Sequence, residues 1–172
     1  MLDSRFLAGS RALFDDFWKT FQRQILSKGS DAFIKDKLLE LETRRGKYGS
    51  SVYILEPNIK ESEGGLRDIQ TAIWIAKLKY KITSMRELII KGILSEDEVA
   101  SFDAAKSYLW RLRNELHYLS GRKNDQITFD AQTTLAAFCG FKDQGKSMAA
   151  EGFMREYYLH AARTEHLSAS LI

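Results

Sequence analysis

The chain has one cysteine and one proline in 172 residues, and each scarcity excludes something. A single thiol, Cys139, can neither close an internal disulfide nor build a cysteine-based zinc site. It lies in the apolar run Leu135-Ala136-Ala137-Phe138-Cys139, which points to a buried, inert thiol. One proline argues against a long flexible linker, and there is no internal repeat or low-complexity tract. No apolar run approaches the roughly 18 residues of a membrane span, and the N-terminus carries no signal-peptide pattern. A cytoplasmic location is the expectation, with no membrane partner. Charge of one sign is scarce too, with a net charge of only +3. That balance permits an anionic ligand such as a nucleotide but does not argue for a duplex DNA binder, so no specific nucleic acid is expected. Walker-type phosphate loops, Gly-x-Ser-x-Gly elements and His/Cys/Asp clusters at zinc spacing are all missing.

What is present suits one globular domain. Apolar residues make up 44% and charged residues 28%, and a chain of this length buries roughly two-thirds of its unfolded surface. Ser10 can cap a helix that carries Leu13, Phe14, Phe17, Trp18, Phe21 and Ile25, with Gly29 as its end. Asp31 opens a second helix, with Ile34, Leu38 and Leu41 inward and Lys35, Lys37, Arg44 and Arg45 outward. Gly46 and Gly49 close it. The run Ser51-Val52-Tyr53-Ile54-Leu55 is the one convincing strand, ending at Pro57. Leu66, Ile69, Ile73, Ala76 and Tyr80 then mark a helical face. Two capping boxes follow, Ser84 with Glu87 and Ser95 with Glu98. The second begins the longest helix, whose seam is Val99, Phe102, Ala105, Leu109, Leu112, Leu116 and Leu119, and which Gly121 ends. Asp130 can cap a short helix that stops at Gly140, and a last helix runs from about Ser147 to about Leu167. The expected fold is all-α: a bundle of about seven helices with one short strand or extended insertion near 51–57.

The pattern breaks between Tyr53 and Ile69. There a short apolar run, the proline, four carboxylates (Glu56, Glu61, Glu63, Asp68) and the pair Gly64-Gly65 lead into a helix beside Lys60 and Arg67. Paired glycines allow close backbone approach to a ligand, and a helix N-terminus favours an anion. A carboxylate at a strand end can hold a divalent cation that bridges phosphate oxygens. A solvated charged turn gives the same pattern. Farther on, Arg113 and His117 are four apart and share a helix face, about 40° from each other, and Arg111 can pair with Glu115. A hydrogen-bonded structural histidine is the plain reading of His117. The sharper one is a helical ribonuclease of the HEPN type, whose signature is Arg and His separated by four to six residues, as Arg111 and His117 are. In a regular helix, however, those two point about 120° apart. Arg122, in the basic loop after Gly121, could receive phosphate or be a solvated loop residue.

Several of these segments together resemble a known family. Leu55-Glu56-Pro57-Asn58-Ile59-Lys60-Glu61, then Gly64-Gly65-Leu66-Arg67-Asp68-Ile69-Gln70-Thr71 and Trp74-Ile75-Ala76, closely resemble the bacterial PII uridylyltransferase/uridylyl-removing enzymes. So do Leu109–His117, Gly121-Arg122, Phe129-Asp130-Ala131-Gln132 and the stretch from Leu7 onward, so that the resemblance covers nearly the whole chain. Glutamine synthetase adenylyltransferase looks similar across Asn58–Lys60 and Gly64–Ile69. That family usually has Glu-Phe where this chain has Gln70-Thr71, and Glu56-Pro57 also leans toward the uridylyltransferases. A non-catalytic helical interaction module is the remaining alternative.

Both families are polymerase-β-like nucleotidyltransferases, in which two carboxylates come from an early Gly-Ser…Asp-x-Asp element and a third from a later strand. Metal ions on that trio stabilise charge on the transferring phosphoryl group. Gly49-Ser50 is present here, but no Asp-x-Asp follows it. The resemblance therefore implies that residues 1–172 are a single helical domain, the region that follows the catalytic core, and that they are inactive alone. It implies Glu56 as the third, Mg²⁺-binding carboxylate, with Mg²⁺ a cofactor of the full-length enzyme. Lys60, Gly64, Gly65 and Arg67 become nucleotide or phosphate contacts, with Asp68, Arg113, His117 and Arg122 as further candidates. Asp68 could instead cap the helix or pair with Arg67. The implied partners are UTP, a PII-type regulatory protein in nitrogen signalling, and other domains of the same chain, where HD and ACT domains follow in the family. Ser62 stands where many relatives carry glycine.

Overall fold

The computed structural model describes residues 2–143, 145 and 147–172, with the side chains of residues 25–28 outside the description. Seven α-helices are formed among them: α1 Arg11–Phe21, α2 Ser27–Tyr48, α3 Leu66–Lys79, α4 Arg86–Ile90, α5 Glu96–Ser120, α6 Phe129–Phe138 and α7 Ala149–Leu171. The all-α expectation is met. None of these helices is long and apolar enough to cross a membrane.

The core lies where α7 packs against α3, α5 and α6. On α5 the expected seam is buried from Val99 through Phe102, Ala105, Leu109 and Leu112 to Leu116. Leu119, one turn further, is 48% exposed, so the seam ends where the helix leaves the bundle. Tyr157 and Ala161 of α7 are fully buried. Each large apolar side chain so enclosed contributes about 1.5–3 kcal/mol. The Ser95–Glu98 capping box forms in both directions, and Gly121 (φ 61°) ends α5. At α4, the Glu87 carboxylate accepts from the backbone N–H groups of Thr83 and Ser84.

Four local expectations are corrected. Gly29 does not end a helix: α1 passes through a π-helical turn, Gln22–Leu26, directly into α2. A glycine within a helix costs only about 1 kcal/mol, and the residues on both sides continue the helix. The expected place of Ile25 on the α1 face lies outside the described side chains. Gly46 is likewise helical, and Gly49, with φ 90°, is the stop. Thr128 rather than Asp130 caps α6, its hydroxyl accepting from Ala131 N.

The fourth correction is the strand. Residues 51–57 are irregular, and an isolated β-bridge joins Asn58 to Gln126. Among the described residues no strand lies alongside, and side chains satisfy the carbonyls instead. The Tyr158 hydroxyl donates to Ile54 O at 3.0 Å and Gln132 Nε2 to Leu55 O at 2.7 Å. Gln126 Nε2 donates to Glu56 O. A buried carbonyl needs a donor but not a strand, and α6, α7 and the loop before α6 supply three.

Candidate functional site

The segment from Glu56 to Asp68 is pinned on four sides. At its start the Glu56 carboxylate accepts from Phe129 N at 2.8 Å, which places a negative charge at the N-terminus of α6. Next, Ile59 N donates to Asp125 O at 2.7 Å and Ile127 N to Pro57 O at 2.9 Å. The turn itself is organised by Asn58, whose Oδ1 accepts from the backbone N–H groups of Lys60 and Glu61. Ser62 has a defined role here: it is buried, and its hydroxyl accepts from Asn58 N at 2.9 Å.

The glycine pair is explained by what lies against it. A Cβ on Gly64 would sit 2.2 Å from the carbonyl oxygen of Ala161 on α7, and Gly64 also has φ +73°. One on Gly65 would meet the carbonyl oxygens of Ser62, Ile59 and Lys60 at 2.7–3.0 Å. The close backbone approach that the glycines permit is to the chain itself. The first amides of α3 are spent within the turn as well, Leu66 N on Ile59 O and Arg67 N on Lys60 O. An anion at this end of α3 therefore meets side chains, not free N–H groups.

Asp68 closes the fourth side. It is 3% exposed, its Oδ2 accepts from Gly64 N at 2.8 Å, and its Oδ1 pairs with Arg44 of α2 rather than with Arg67. Burial pushes its carboxyl up, and Arg44 and the Gly64 amide only partly offset this. The neighbouring Glu63 pairs with Arg45 at 3.1 Å, and burial raises its carboxyl too. Thus α2 is fastened to the turn by two adjacent arginines, which the helical pattern had placed facing outward.

Lys60 and Arg67 are the cations left facing solvent. They share Glu61, at 2.8 and 3.8 Å, and Arg67 also donates to Gln70 Oε1. Both line a cleft of about 260 Å³ between α3 and α5, together with Asp3, Lys106, Trp110 and Arg113. Arg113 reaches it while Asp125 holds its Nε at 2.7 Å. His117 Nε2 contacts the same Asp125 oxygen at 3.0 Å. Burial raises the Asp125 carboxyl, but the bonds from Arg113 and His117 outweigh that and hold it below its ordinary 3.8.

The structure thus brings Lys60, Arg67 and Arg113 together, with His117 behind Arg113. Glu56 lies at α6 and Arg122 in the exposed loop after α5, neither lining the cleft. Arg111 does not converge with His117: it lies over the Phe138 ring and donates to Phe138 O at 3.5 Å. That geometry overturns the ribonuclease pairing, and the expected Arg111–Glu115 contact is replaced by one to α6. Cys139 is half-buried, with its thiol pushed up by burial. Asp3, Lys106 and Trp110 were missed in the sequence. A signal existed, because Lys106, Trp110 and Arg113 recur at i, i+4 and i+7 on one face of α5. Asp3 had none, since its partners are some 70 residues away.

Among the described residues no three His, Cys, Asp or Glu side chains converge to hold an ion. Glu56 is a single carboxylate with one oxygen already bonded. These residues alone do not make a magnesium site.

Because Asp125 is held low, its stabilising effect is present above pH 3.8 and is lost as pH falls through its folded-state value below that. Asp125→Asn should cost about 2 kcal/mol at pH 7, the scale of hydrogen bonds to charged groups. It should also flatten the acid limb of the stability curve. Urea midpoints from pH 7 to 2 check both, and an unchanged acid limb would refute the assignment.

Comparison with known proteins agrees with the segments noted above. Residues 32–172 match the family described as GlnD PII-uridylyltransferase. A protein of Azospirillum brasilense named bifunctional uridylyltransferase/uridylyl-removing enzyme is 40% identical over 161 residues, covering 94% of this chain and 17% of its own length. Proteins of the same name from Rhodospirillum rubrum and Cereibacter sphaeroides are also 40% identical, over 94% and 98% of this chain. The chain spans less than a fifth of these curated relatives, 17–18% of their length. No solved structure matches it. The match over four-fifths of the chain, including the whole pinned turn and the α3 and α5 residues of the cleft, settles the family: this chain belongs to the GlnD PII-uridylyltransferases.

Proposed function

We propose that this chain is the helical domain that follows the catalytic core of a uridylyltransferase, and that it completes the site where UMP passes from UTP to a PII-type regulatory protein. The observation that carries this reading is the rigidity of the 56–68 turn. Contacts from α2, α6, α7 and the Asp125–Ile127 loop hold it, and its open face presents Lys60 and Arg67. Electrostatic catalysis needs charges held in place before the reaction. Lys60 and Arg67 supply the phosphate contacts, while Gly64 and Gly65 let the turn pack closely enough to aim them. Arg113 adds a third cation, oriented by Asp125, whose carboxylate His117 also contacts. Asp68 holds the turn from behind.

Glu56 is proposed as one ligand of a Mg²⁺ site whose other carboxylates lie outside these residues. Bound there, the ion would offset charge on the transferring phosphoryl group. Everything that the chain itself does is binding and orientation, and the chain alone should not transfer UMP. Uridylyl transfer from labelled UTP to a PII protein tests this in the full-length enzyme that carries the segment. The Lys60→Ala/Arg67→Ala double variant should lose about a hundredfold in kcat/KM. Transfer by the isolated 172 residues, or an unimpaired double variant, would sink the reading.

A further inference from the structure

The α3–α5 cleft extends well past the turn. Lys106 of α5 makes no ion pair or hydrogen bond among the described residues, yet it lines the cleft opposite Lys60 and Arg67. Arg113 has its Nε and Nη2 committed to Asp125, so the other edge of its guanidinium remains for a ligand. Trp110, 44% exposed, stands between Lys106 and Arg113 on the same face, with the Arg113 guanidinium carbon 5.2 Å from its ring centroid. Four cations thus line one concavity, and Glu61 neutralises only part of the Lys60–Arg67 side.

The acidic side chain in the lining is Asp3, and it comes from the far end of the chain. Trp74 Nε1 donates to its Oδ2 at 2.6 Å, and Lys77 Nζ holds its Oδ1 at 3.0 Å. Its carboxylate lines the cleft, where it opposes the binding of any anion. Size narrows the ligand further. Pockets for whole drug-sized molecules run to about 300–1,000 Å³, and this one holds about 260 Å³, enough for a phosphate chain but not for a complete nucleotide.

We propose that the cleft between α3 and α5 binds a polyphosphate chain through Lys60, Arg67, Lys106 and Arg113, with the Asp3 carboxylate in its lining setting the affinity. This rests on the reading of Lys60 and Arg67 as phosphate contacts and adds Lys106, Arg113 and Asp3 to them. The polyphosphate has two sources in this chemistry: the tail of a nucleoside triphosphate, or the pyrophosphate that uridylyl transfer releases. Trp110 separates them. A base lying on the indole adds binding that inorganic phosphate chains do not have.

Calorimetric titration of the 172-residue chain with tripolyphosphate, pyrophosphate and UTP, at low and at moderate salt, tests the proposal without the catalytic core. Saturable binding is expected, weaker at higher salt. Lys106→Glu, at a surface position on α5, should weaken it at least tenfold with an unchanged circular dichroism spectrum. Asp3→Asn should tighten it several-fold, an effect that a purely structural Asp3 would not produce. If Trp110→Ala weakens UTP but not tripolyphosphate, the triphosphate tail is the natural occupant. If it changes neither, pyrophosphate is. Absence of saturable binding, or a Lys106→Glu variant that binds all three ligands normally, overturns the proposal. Failure here leaves the transfer experiment free to succeed, because that one reads catalysis by the full-length enzyme and does not involve Lys106 or Asp3.

Discussion

Gly64→Ala should destabilise the protein by about 2–5 kcal/mol, although it adds one methyl group. Two independent costs combine. The backbone at Gly64 has φ +73°, where an L-residue loses roughly 1–2 kcal/mol. The new Cβ would also lie 2.2 Å from Ala161 O and 2.7 Å from its carbonyl carbon, so a backbone must move. Overpacking of that kind costs typically about 1–3 kcal/mol more. Since α7 also packs on α5 and α6, it cannot retreat from α3 without opening the core. A melting temperature lower by about 10 °C is the expected readout for a domain of this size. Gly121→Ala is the control: its φ is +61° with nothing within 4 Å, so it should show the conformational cost alone, about 1–2 kcal/mol. Equal losses at the two positions would remove the packing argument.

Asp68→Ala should be as damaging, about 3–5 kcal/mol, for an electrostatic reason. The Arg44 side chain is 10% exposed and that of Asp68 3%. Removing the carboxylate strands a buried guanidinium and leaves Gly64 N without its acceptor. The raised Asp68 carboxyl adds a second, less intuitive expectation. Burial outweighs Arg44 in setting it, so the folded state takes up the proton more readily than the unfolded chain does. The stability that this shift contributes is complete below the unfolded value of 3.8 and declines as pH rises through the folded one. Burial of the carboxylate thus offsets much of what the pairing with Arg44 contributes. Arg44→Met/Asp68→Leu should consequently recover much of what Asp68→Ala loses. Chemical denaturation of the unsubstituted protein and the two variants at pH 7 decides it. A double variant as unstable as Asp68→Ala would show instead that the pair is a net stabiliser.

Residues near in sequence carried most of what could be read without a structure. The α5 seam, the Ser95–Glu98 box and the α3 face were legible because helical periodicity and capping are local. The family was legible for a related reason: Glu56–Glu61 and Gly64–Thr71 form one continuous run. Gly29 misled because its local penalty is small and the residues on both sides carry the helix through it. Ser51–Leu55 misled because β-branched and aromatic residues describe extended backbone, while a strand also requires a neighbour. Here side chains from Gln126, Gln132 and Tyr158 took the neighbour's place.

At the turn itself the division is clear. By itself the order of residues determined that a helix begins after Gly64-Gly65, that Lys60 and Arg67 flank that start, and that the chain is one of the PII-uridylyltransferase family. Only the tertiary structure decided what the glycines are for, which arginine meets Asp68, and that Lys106, Trp110, Arg113 and Asp3 share a cleft with Lys60 and Arg67. The physical reason is range. Helix periodicity and capping act over three or four residues, whereas Gly64 meets Ala161, Asp68 meets Arg44 and Asp3 meets Trp74, across separations that only packing brings together.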